Sequence, residues 1–151
     1  MTTIEVRELL YEVTLNITSM TEYGVSFAAL MAREVAIPVD GARFDVAFEG
    51  RAAGPKLNGS AVGIDYARVR ADGRFALHIH ETIRTEDRHN ISVQGEGIAI
   101  PRPQGGIADL RVNMTLFASE KEYAWVNQLY VWGIGTFDLA RQVIQLAAYS
   151  A

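Results

Sequence analysis

Hydrophobic and polar residues alternate with a period of two along most of this chain. The clearest row is residues 10–17, in which Tyr11, Val13, Leu15 and Ile17 alternate with Glu12, Thr14 and Asn16. A period of two indicates a β-strand with one buried and one wet face. Similar rows predict further strands at 43–49, 57–70, 74–84, 90–99, 108–117, 124–133 and 140–149.

Turn residues separate these rows at short intervals. Pro and Gly residues mark turns at 38–41, 54–55, 71–73, 101–106 and 135–138. Residues 24–35 are rich in helix formers and predict either a helical turn or a bulged strand, and residues 119–122 predict one helical turn. Short strands without a strand–helix–strand rhythm indicate an all-β fold, a sandwich or a barrel. We expect a single domain over residues 1–151, an antiparallel β-barrel of about eight strands with one short helical turn.

Composition narrows the class of partner. Net charge is −4 and the 14 basic residues are scattered, so no stripe could follow a phosphate backbone and a nucleic-acid partner is not expected. The absence of cysteine excludes disulfides and thiolate chemistry. Residues 1–7 do not resemble a signal peptide, and no apolar run reaches the roughly 20 residues that a membrane helix needs. The expected location is the cytoplasm, without membrane attachment.

The hairpin between residues 61 and 84 contains the most informative polar residues. Asp-Gly at 72–73 is a strong signal for a two-residue type I′ turn, which would place Asp65 opposite His80. The inward face would then carry Asp65, His78 and His80 among small side chains. The outward face would carry an apolar row, Tyr66, Phe75, Leu77 and Ile79. An apolar outer row on a barrel without a covering helix predicts a homo-oligomer.

A carboxylate opposite an imidazole orients the ring and stabilises its charged form. Asp65 and His80 are therefore the candidate catalytic acid–base pair near neutral pH, with His78 as a substrate-binding residue. Two alternatives remain open. Asp–His pairs across strands are often surface contacts worth less than about 1 kcal/mol. A three-residue loop would instead place Asp65 opposite Ile79 and dissolve the pair.

His78 and His80 also have the spacing of metal ligands on one face of a strand. Asp65 or His89 would have to complete such a site, but His89 lies in a charged segment that is typical of a solvated turn. We therefore predict no metal. Glycine-rich nucleotide loops and a Gly-x-Ser-x-Gly elbow are absent, so no cofactor is predicted and serine hydrolysis is not expected.

Three further residues are candidate substrate-binding groups. In the strand predicted at 124–133, Asn127 would interrupt an apolar row that includes Trp125. Asn127 either binds a ligand or satisfies a backbone bulge. Trp125 either contacts a ligand or belongs to the hydrophobic core. Arg33 could bind a carboxylate or enolate, or form a surface ion pair with Glu34 or Glu49.

Several segments, taken in order, resemble one bacterial family. They are Phe48-Glu49-Gly50, the run from Gly54 to Gly59, Gly63-Ile64-Asp65-Tyr66, the run from Val69 to Gly73, the run from Thr82 to Asp87, and the run from Tyr123 to Asn127. Together they resemble the family catalogued as domain of unknown function 3237. The resemblance implies a small β-barrel similar to allene oxide cyclase and dirigent proteins, an oligomer, and a largely unassigned reaction. Family members usually have glycine where this chain has Arg88, and commonly arginine where it has His80.

Three functional hypotheses follow. The first is a cofactor-independent isomerase, cyclase or lyase that moves a proton in an apolar, carbonyl-bearing small molecule. The second is a barrel that binds or carries a hydrophobic ligand without chemistry. The third is a structural oligomer with a filled core. An open pocket that contains the contact between Asp65 and His80 would favour the first hypothesis. An open apolar pocket without paired polar groups would favour the second, and a filled interior would favour the third.

Overall fold

The computed structural model describes residues 8–151, so residues 1–7, for which no signal peptide is predicted, lie outside the described residues. Eight strands form a closed antiparallel barrel in which each strand pairs with the next and the last pairs with the first. The predicted all-β barrel is therefore confirmed. The strands are β1 (Glu8–Glu22), β2 (Ala42–Ala53), β3 (Gly59–Val69), β4 (Phe75–Thr85), β5 (Asn90–Pro101), β6 (Ile107–Phe117), β7 (Val131–Asp138) and β8 (Val143–Ser150).

Alternate residues of every strand point into the barrel and form one hydrophobic core. A short helix, α1 (Phe27–Met31), lies in the connection between β1 and β2 at one end. A 3₁₀ helix (Lys121–Gln128) lies in the connection between β6 and β7 at the other end. At this second end, Leu57 and Val126 are fully buried. Among residues 8–151, no helix is long and apolar enough to cross a membrane.

Helix α1 resolves the choice that the sequence left open for residues 24–35, in favour of a helical turn. Ser26 caps its first turn, because the Ser26 Oγ accepts a hydrogen bond from the Ala29 N–H at 3.1 Å. Its end is closed by Arg33, which has a φ of 59°, and by the Glu34 N–H, which donates to the Ala29 carbonyl at 2.9 Å. This is the Schellman arrangement, usually built with glycine at the position that Arg33 occupies.

The loop between β3 and β4 has three residues rather than two. The Arg70 N–H donates to the Arg74 carbonyl at 2.8 Å, and the Gly73 N–H donates to the Arg70 carbonyl at 2.9 Å. Gly73 has a φ of 91° whereas Asp72 has no positive φ, so the loop is a type I turn followed by a left-handed glycine. The prediction of a type I′ turn is wrong. A type I′ turn needs positive φ at both central residues.

The longer loop moves β4 by one residue against β3. Asp65 pairs with Ile79 and Ile64 pairs with His80, which is the alternative that the sequence analysis left open. Because side chains alternate between faces, the whole of β4 turns over. Phe75 and Leu77 are buried inside the barrel, not exposed on it. The predicted apolar outer row of β4 is wrong, and the homo-oligomer stays a prediction without that support.

The loop between β4 and β5 repeats the same pattern. The Thr85 N–H donates to the His89 carbonyl, and the Arg88 N–H donates to the Thr85 carbonyl, both at 2.9 Å. Arg88 has a φ of 69° and so holds the left-handed position that Gly73 holds in the preceding hairpin. A glycine would adopt this conformation without steric cost, which explains physically why relatives would place glycine there.

The predicted strand at 124–133 is wrong in its first half. Residues 121–128 form the 3₁₀ helix, and β7 runs through the segment 135–138 that was predicted as a turn. The cause is Asn127, whose amide mimics a strand partner. Its Oδ1 accepts from the Ala118 N–H and its Nδ2 donates to the Ala118 carbonyl, both at 2.8 Å. Asn127 therefore satisfies the backbone groups of the residue that follows β6, rather than a bulge within a strand.

Replacing Asn127 with alanine should lower the free energy of unfolding by about 1–2 kcal/mol, because two hydrogen bonds to a buried backbone are lost. Chemical denaturation measures this directly. Asn113→Ala is the matched control, since Asn113 is exposed on the outer face of β6 and its loss should cost less than about 0.5 kcal/mol. Equal effects of the two substitutions would contradict the anchoring role of Asn127.

Candidate functional site

The interior of the barrel contains a cavity of about 100 Å³ between its middle and the α1 end. Phe27 and Met31 of α1 line it, and so does Leu139 in the connection between β7 and β8. Such a space exceeds the roughly 15 Å³ needed for one water. All its lining side chains in the described part of the chain are apolar except Asp65 and Glu81. An apolar pocket with a few convergent polar groups is the usual form of a small-molecule site.

Asp65 lies where the pairing between β3 and β4 is interrupted. The ladder runs as far as the pair Asp65–Ile79 and resumes at Arg68–Ala76. In this gap the His78 N–H donates to Asp65 Oδ1 at 2.9 Å. Burial raises the pKa of Asp65 to about 6, against the opposing effects of the hydrogen bond from His78 and of the His78 charge. Asp65 is thus a carboxylate that gains or loses its proton just below neutral pH.

Glu81 lies on β4, two residues further along the inner face than the partner of Asp65. Its side chain is only 8% exposed, and burial raises its pKa to about 7. Its pairing partner is Gly63. A Cβ at Gly63 would lie 2.8 Å from the Phe48 ring and 2.8 Å from the Glu81 Cα. Glycine at this position therefore leaves room for the Phe48 ring, which lines the cavity together with Glu81.

The charge of Glu81 affects the ionisation of a buried tyrosine, Tyr11. Tyr11 is fully buried, and its pKa is raised well above its ordinary value by burial and by the negative charge of Glu81. The Tyr11 hydroxyl and Glu81 Oε1 are both buried without a hydrogen-bond partner among residues 8–151. Buried polar atoms without partners are rare in native proteins and often have a functional explanation.

Asp65 and Glu81 are diagonal neighbours on adjacent strands, which places them about 7–8 Å apart. Each has its pKa raised chiefly by burial, and Asp65 is the stronger acid. As pH rises, Asp65 therefore loses its proton before Glu81 does. Two carboxyl groups that titrate apart can divide the roles of base and acid.

The predicted pair of Asp65 and His80 does not form. Asp65 faces the interior, as expected, but His78 and His80 lie on the outer surface because of the shift of β4. There the His80 Nε2 lies 3.2 Å from the His78 Nε2, and the His78 Nδ1 lies 3.8 Å from a Glu96 carboxylate oxygen. The assignment of His80 as partner of Asp65 is wrong, and so is the placement of His78 in the pocket.

The metal arrangement considered from the sequence is not assembled either. Asp65 faces away from the two outer histidines, and His89 lies beside Asp87 and Glu120, at 3.9 Å and 3.7 Å. Within residues 8–151, no three His, Asp or Glu side chains are grouped so that they could hold a metal ion.

The remaining candidates also lie away from the cavity. Trp125 and Asn127 belong to the 3₁₀ helix at the opposite end of the barrel, and Trp125 is 37% exposed. Arg33 is exposed beyond the end of α1, and neither Glu34 nor Glu49 forms an ion pair with it in the described residues. Substrate contact by Arg33, Trp125 or Asn127 has no support from the cavity lining.

The sequence analysis missed Glu81 and the role of Tyr11, although a signal was present. The row Phe75, Leu77, Ile79, Glu81, Ile83 is the more hydrophobic face of β4, and the more hydrophobic face normally packs inward. This criterion predicts that Glu81 is a buried carboxylate, since it lies in the same row as four hydrophobic residues. Tyr11 heads the inward row of β1 but has no feature that would mark it as more than core.

Comparisons with known proteins agree with the fold and leave the reaction open. The family model described as "Protein of unknown function (DUF3237)" matches residues 22–151. A β-barrel-like protein from Acinetobacter baumannii AYE is 18% identical, with a TM-score of 0.77 over 95% of this chain and 93% of its own. A protein of unknown function from Clostridium acetobutylicum is 20% identical, with a TM-score of 0.77 over 95% and 97%.

A third solved structure is described as an enzyme from Penicillium herquei. It is 19% identical, with a TM-score of 0.63 over 98% of each chain. At these identities the similarity supports the barrel fold alone. No curated protein shows significant similarity to the chain.

Glu81 should make the barrel less stable as pH rises. Its pKa is 4.5 when exposed and about 7 when buried, so between about pH 4.5 and pH 7 the unfolded chain ionises before the folded one. At about 1.4 kcal/mol per pH unit, the free energy of unfolding should fall by about 3 kcal/mol over this pH range. The free energy of unfolding of Glu81→Gln, relative to that of the wild type, should therefore rise by about this amount between pH 4.5 and pH 8. Urea denaturation at each pH measures it.

Glu12→Gln is the matched control for this titration. Glu12 is exposed on the outer face of β1 and forms no ion pair within residues 8–151, so its removal should leave the pH dependence of stability unchanged. A Glu81→Gln variant that follows the wild-type pH profile would show that Glu81 is solvated in the folded protein.

Proposed function

The chain belongs to DUF3237, a family of proteins of unknown function, and we propose that it is a cofactor-independent enzyme that moves a proton within an apolar, carbonyl-bearing small molecule. An isomerase, cyclase or lyase would fit this description. One observation carries the proposal: Asp65 and Glu81 are the only charged side chains among the described residues that line an otherwise apolar cavity.

The chemistry assigns a separate task to each carboxyl group. Asp65, ionised, takes a proton from the carbon next to the carbonyl, and the electron pair of the broken C–H bond forms a carbon–carbon double bond. The developing oxyanion accepts the proton of Glu81, which gives an enol. Return of the proton from Asp65 to the same or a conjugated carbon, and of the oxygen-bound proton to Glu81, completes an isomerisation without any net redox change.

The apolar lining supports this division of tasks. It raises the pKa of Glu81 to about 7, so that a carboxylic acid is present near neutral pH to donate to an oxygen. It also strengthens electrostatic interactions with the charge that develops on that oxygen, because water is excluded. The His78 N–H bond holds Asp65 Oδ1 in place at 2.9 Å. The filled interior expected of a purely structural oligomer does not fit a cavity of this kind.

Asp65→Asn should abolish most of the proton transfer while leaving binding of the ligand intact. The measurement is deuterium uptake, followed by mass spectrometry, at the carbon next to the carbonyl of neutral apolar ketones in D₂O, acetophenone among them. Loss of a general base lowers such rates by about 10²–10⁴-fold, and Glu12→Gln, at an exposed position of β1, should retain the wild-type rate. Binding without any exchange above the solvent rate would favour the alternative, a barrel that carries a hydrophobic ligand.

The exchange rate should also depend on pH in a bell shape. Activity requires Asp65 ionised and Glu81 protonated, so it should rise as pH passes about 6 and fall as pH passes about 7. In Glu81→Gln the falling limb should disappear, since the amide does not titrate. A rate that keeps rising through pH 8 in the wild type would exclude Glu81 as the acid.

A further inference from the structure

Glu81 is the β4 residue that lines the cavity furthest from the α1 end, and the hydrogen bonding of its carboxyl group is incomplete. Glu81 is more than nine-tenths buried, and its Oε1 has no hydrogen-bond partner among residues 8–151. An unsatisfied buried polar atom costs about 1–3 kcal/mol. Such an atom at the end of an apolar cavity marks the place where a bound molecule can supply the missing interaction.

Tyr11 is the polar side chain that responds to the charge of this carboxyl group. Glu81 lines the cavity and Tyr11 does not, yet the Glu81 charge acts on the Tyr11 hydroxyl. Both Glu81 Oε1 and the Tyr11 hydroxyl are buried without a hydrogen-bond partner among residues 8–151. A phenol O–H is a donor that suits an ionised carboxylate.

The cavity offers no counter-charge to an anionic ligand. Neither Lys nor Arg nor His occurs among its lining residues in the described part of the chain, and both of its charged groups are acidic. A carboxylate or phosphate placed here would lose its hydration and face two carboxyl groups, which is strongly unfavourable.

We infer that the inner end of the cavity is a subsite for an uncharged oxygen of the ligand, a ketone or a hydroxyl, bound by the Glu81 carboxyl group with Tyr11 as its positioning residue. The ligand class is a neutral, apolar molecule that carries an oxygen at its leading end. The inference rests on the proposed ligand cavity but not on the proton transfer at Asp65.

The subsite should depend on the protonation of Glu81. A protonated carboxyl group can donate to a ketone oxygen, whereas an ionised one cannot. Donation by Tyr11 to Oε1 would favour the ionised form. Across the strands that face Glu81, the only other titratable groups of residues 8–151 that are turned inward near it are Asp65 on β3 and Tyr11 on β1. The facing residues of β2, β5 and β6 are uncharged, namely Phe48, Val93, Gly95 and Met114.

Matched small probes test the subsite by calorimetric titration at pH 6. Acetophenone carries the ketone, ethylbenzene lacks it, and benzoate carries a negative charge on a ring of the same size. We expect acetophenone to bind the wild type about tenfold more tightly than ethylbenzene, the equivalent of one hydrogen bond, and at least about a hundredfold more tightly than benzoate. In Glu81→Leu the preference for acetophenone over ethylbenzene should vanish.

Tyr11→Phe tests the positioning role separately. Removing the hydroxyl takes a donor from the ionised carboxylate, so the pH at which acetophenone binding weakens should move upward while the affinity at pH 6 is retained. Tyr130→Phe is the control, since Tyr130 is 67% exposed and should leave that pH unchanged. A purely structural role for Tyr11 would lower stability without moving the pH of weakening.

The results also separate this inference from the proposed reaction. Asp65→Asn should lose deuterium exchange but keep the preference for acetophenone over ethylbenzene. Equal binding of the two probes by the wild type, preference that survives in Glu81→Leu, or no acetophenone binding at its solubility limit would each overturn the subsite. An unchanged pH dependence in Tyr11→Phe would overturn the role of Tyr11.

Discussion

The three-residue loop between β3 and β4 determines which chemistry lies inside the barrel. With Gly73 in the left-handed conformation, Asp65 pairs with Ile79, and β4 presents its odd-numbered residues to the core. A loop one residue shorter would place two histidines inside and Glu81 on the surface, because the side-chain period of a strand is two. The same shift leaves the hydrophobic row of β4 buried, so the register that stabilises the core also places the second carboxyl group in the cavity.

Burial of two carboxyl groups opposes stability and, in the proposed function, supplies the acid and the base through one physical cause. Removal from water disfavours the charged form, which raises both pKa values toward neutrality. If both carboxyl groups were solvated, both would be ionised at pH 7 and neither would oppose stability. Neither could then donate a proton. The barrel tolerates the cost because eight strands close without a free edge and supply a continuous apolar core around the site.

The sequence was sufficient for the architecture and for half of the candidate site. Alternation of hydrophobic residues depends on burial alone, and it therefore predicted an antiparallel all-β fold. The small side chains on the same face of β3 predicted the inward orientation of Asp65. Register depends on the conformation of one loop, and Asp-Gly is compatible with both a type I′ turn and a type I turn followed by a left-handed glycine. The strand predicted at 124–133 failed for a related reason: the amide of Asn127 replaces a strand partner of Ala118, and such side-chain mimicry leaves no periodic signal.

The two ends of the barrel differ in a way that allows a cavity without loss of the fold. At the 3₁₀-helix end, Leu57 and Val126 are buried, and the Asn127 amide ties the helix to β6. At the other end, α1 has only five residues and contributes Phe27 and Met31 to the cavity wall. Phe27 packs edge-on against Phe44 at 5.1 Å between ring centres and lies 6.4 Å from the Phe75 ring, and Leu30 of the same helix is buried. The α1 end is therefore closed by side chains of one short helix, and a ligand of the proposed function that entered there would reach Asp65 before Glu81.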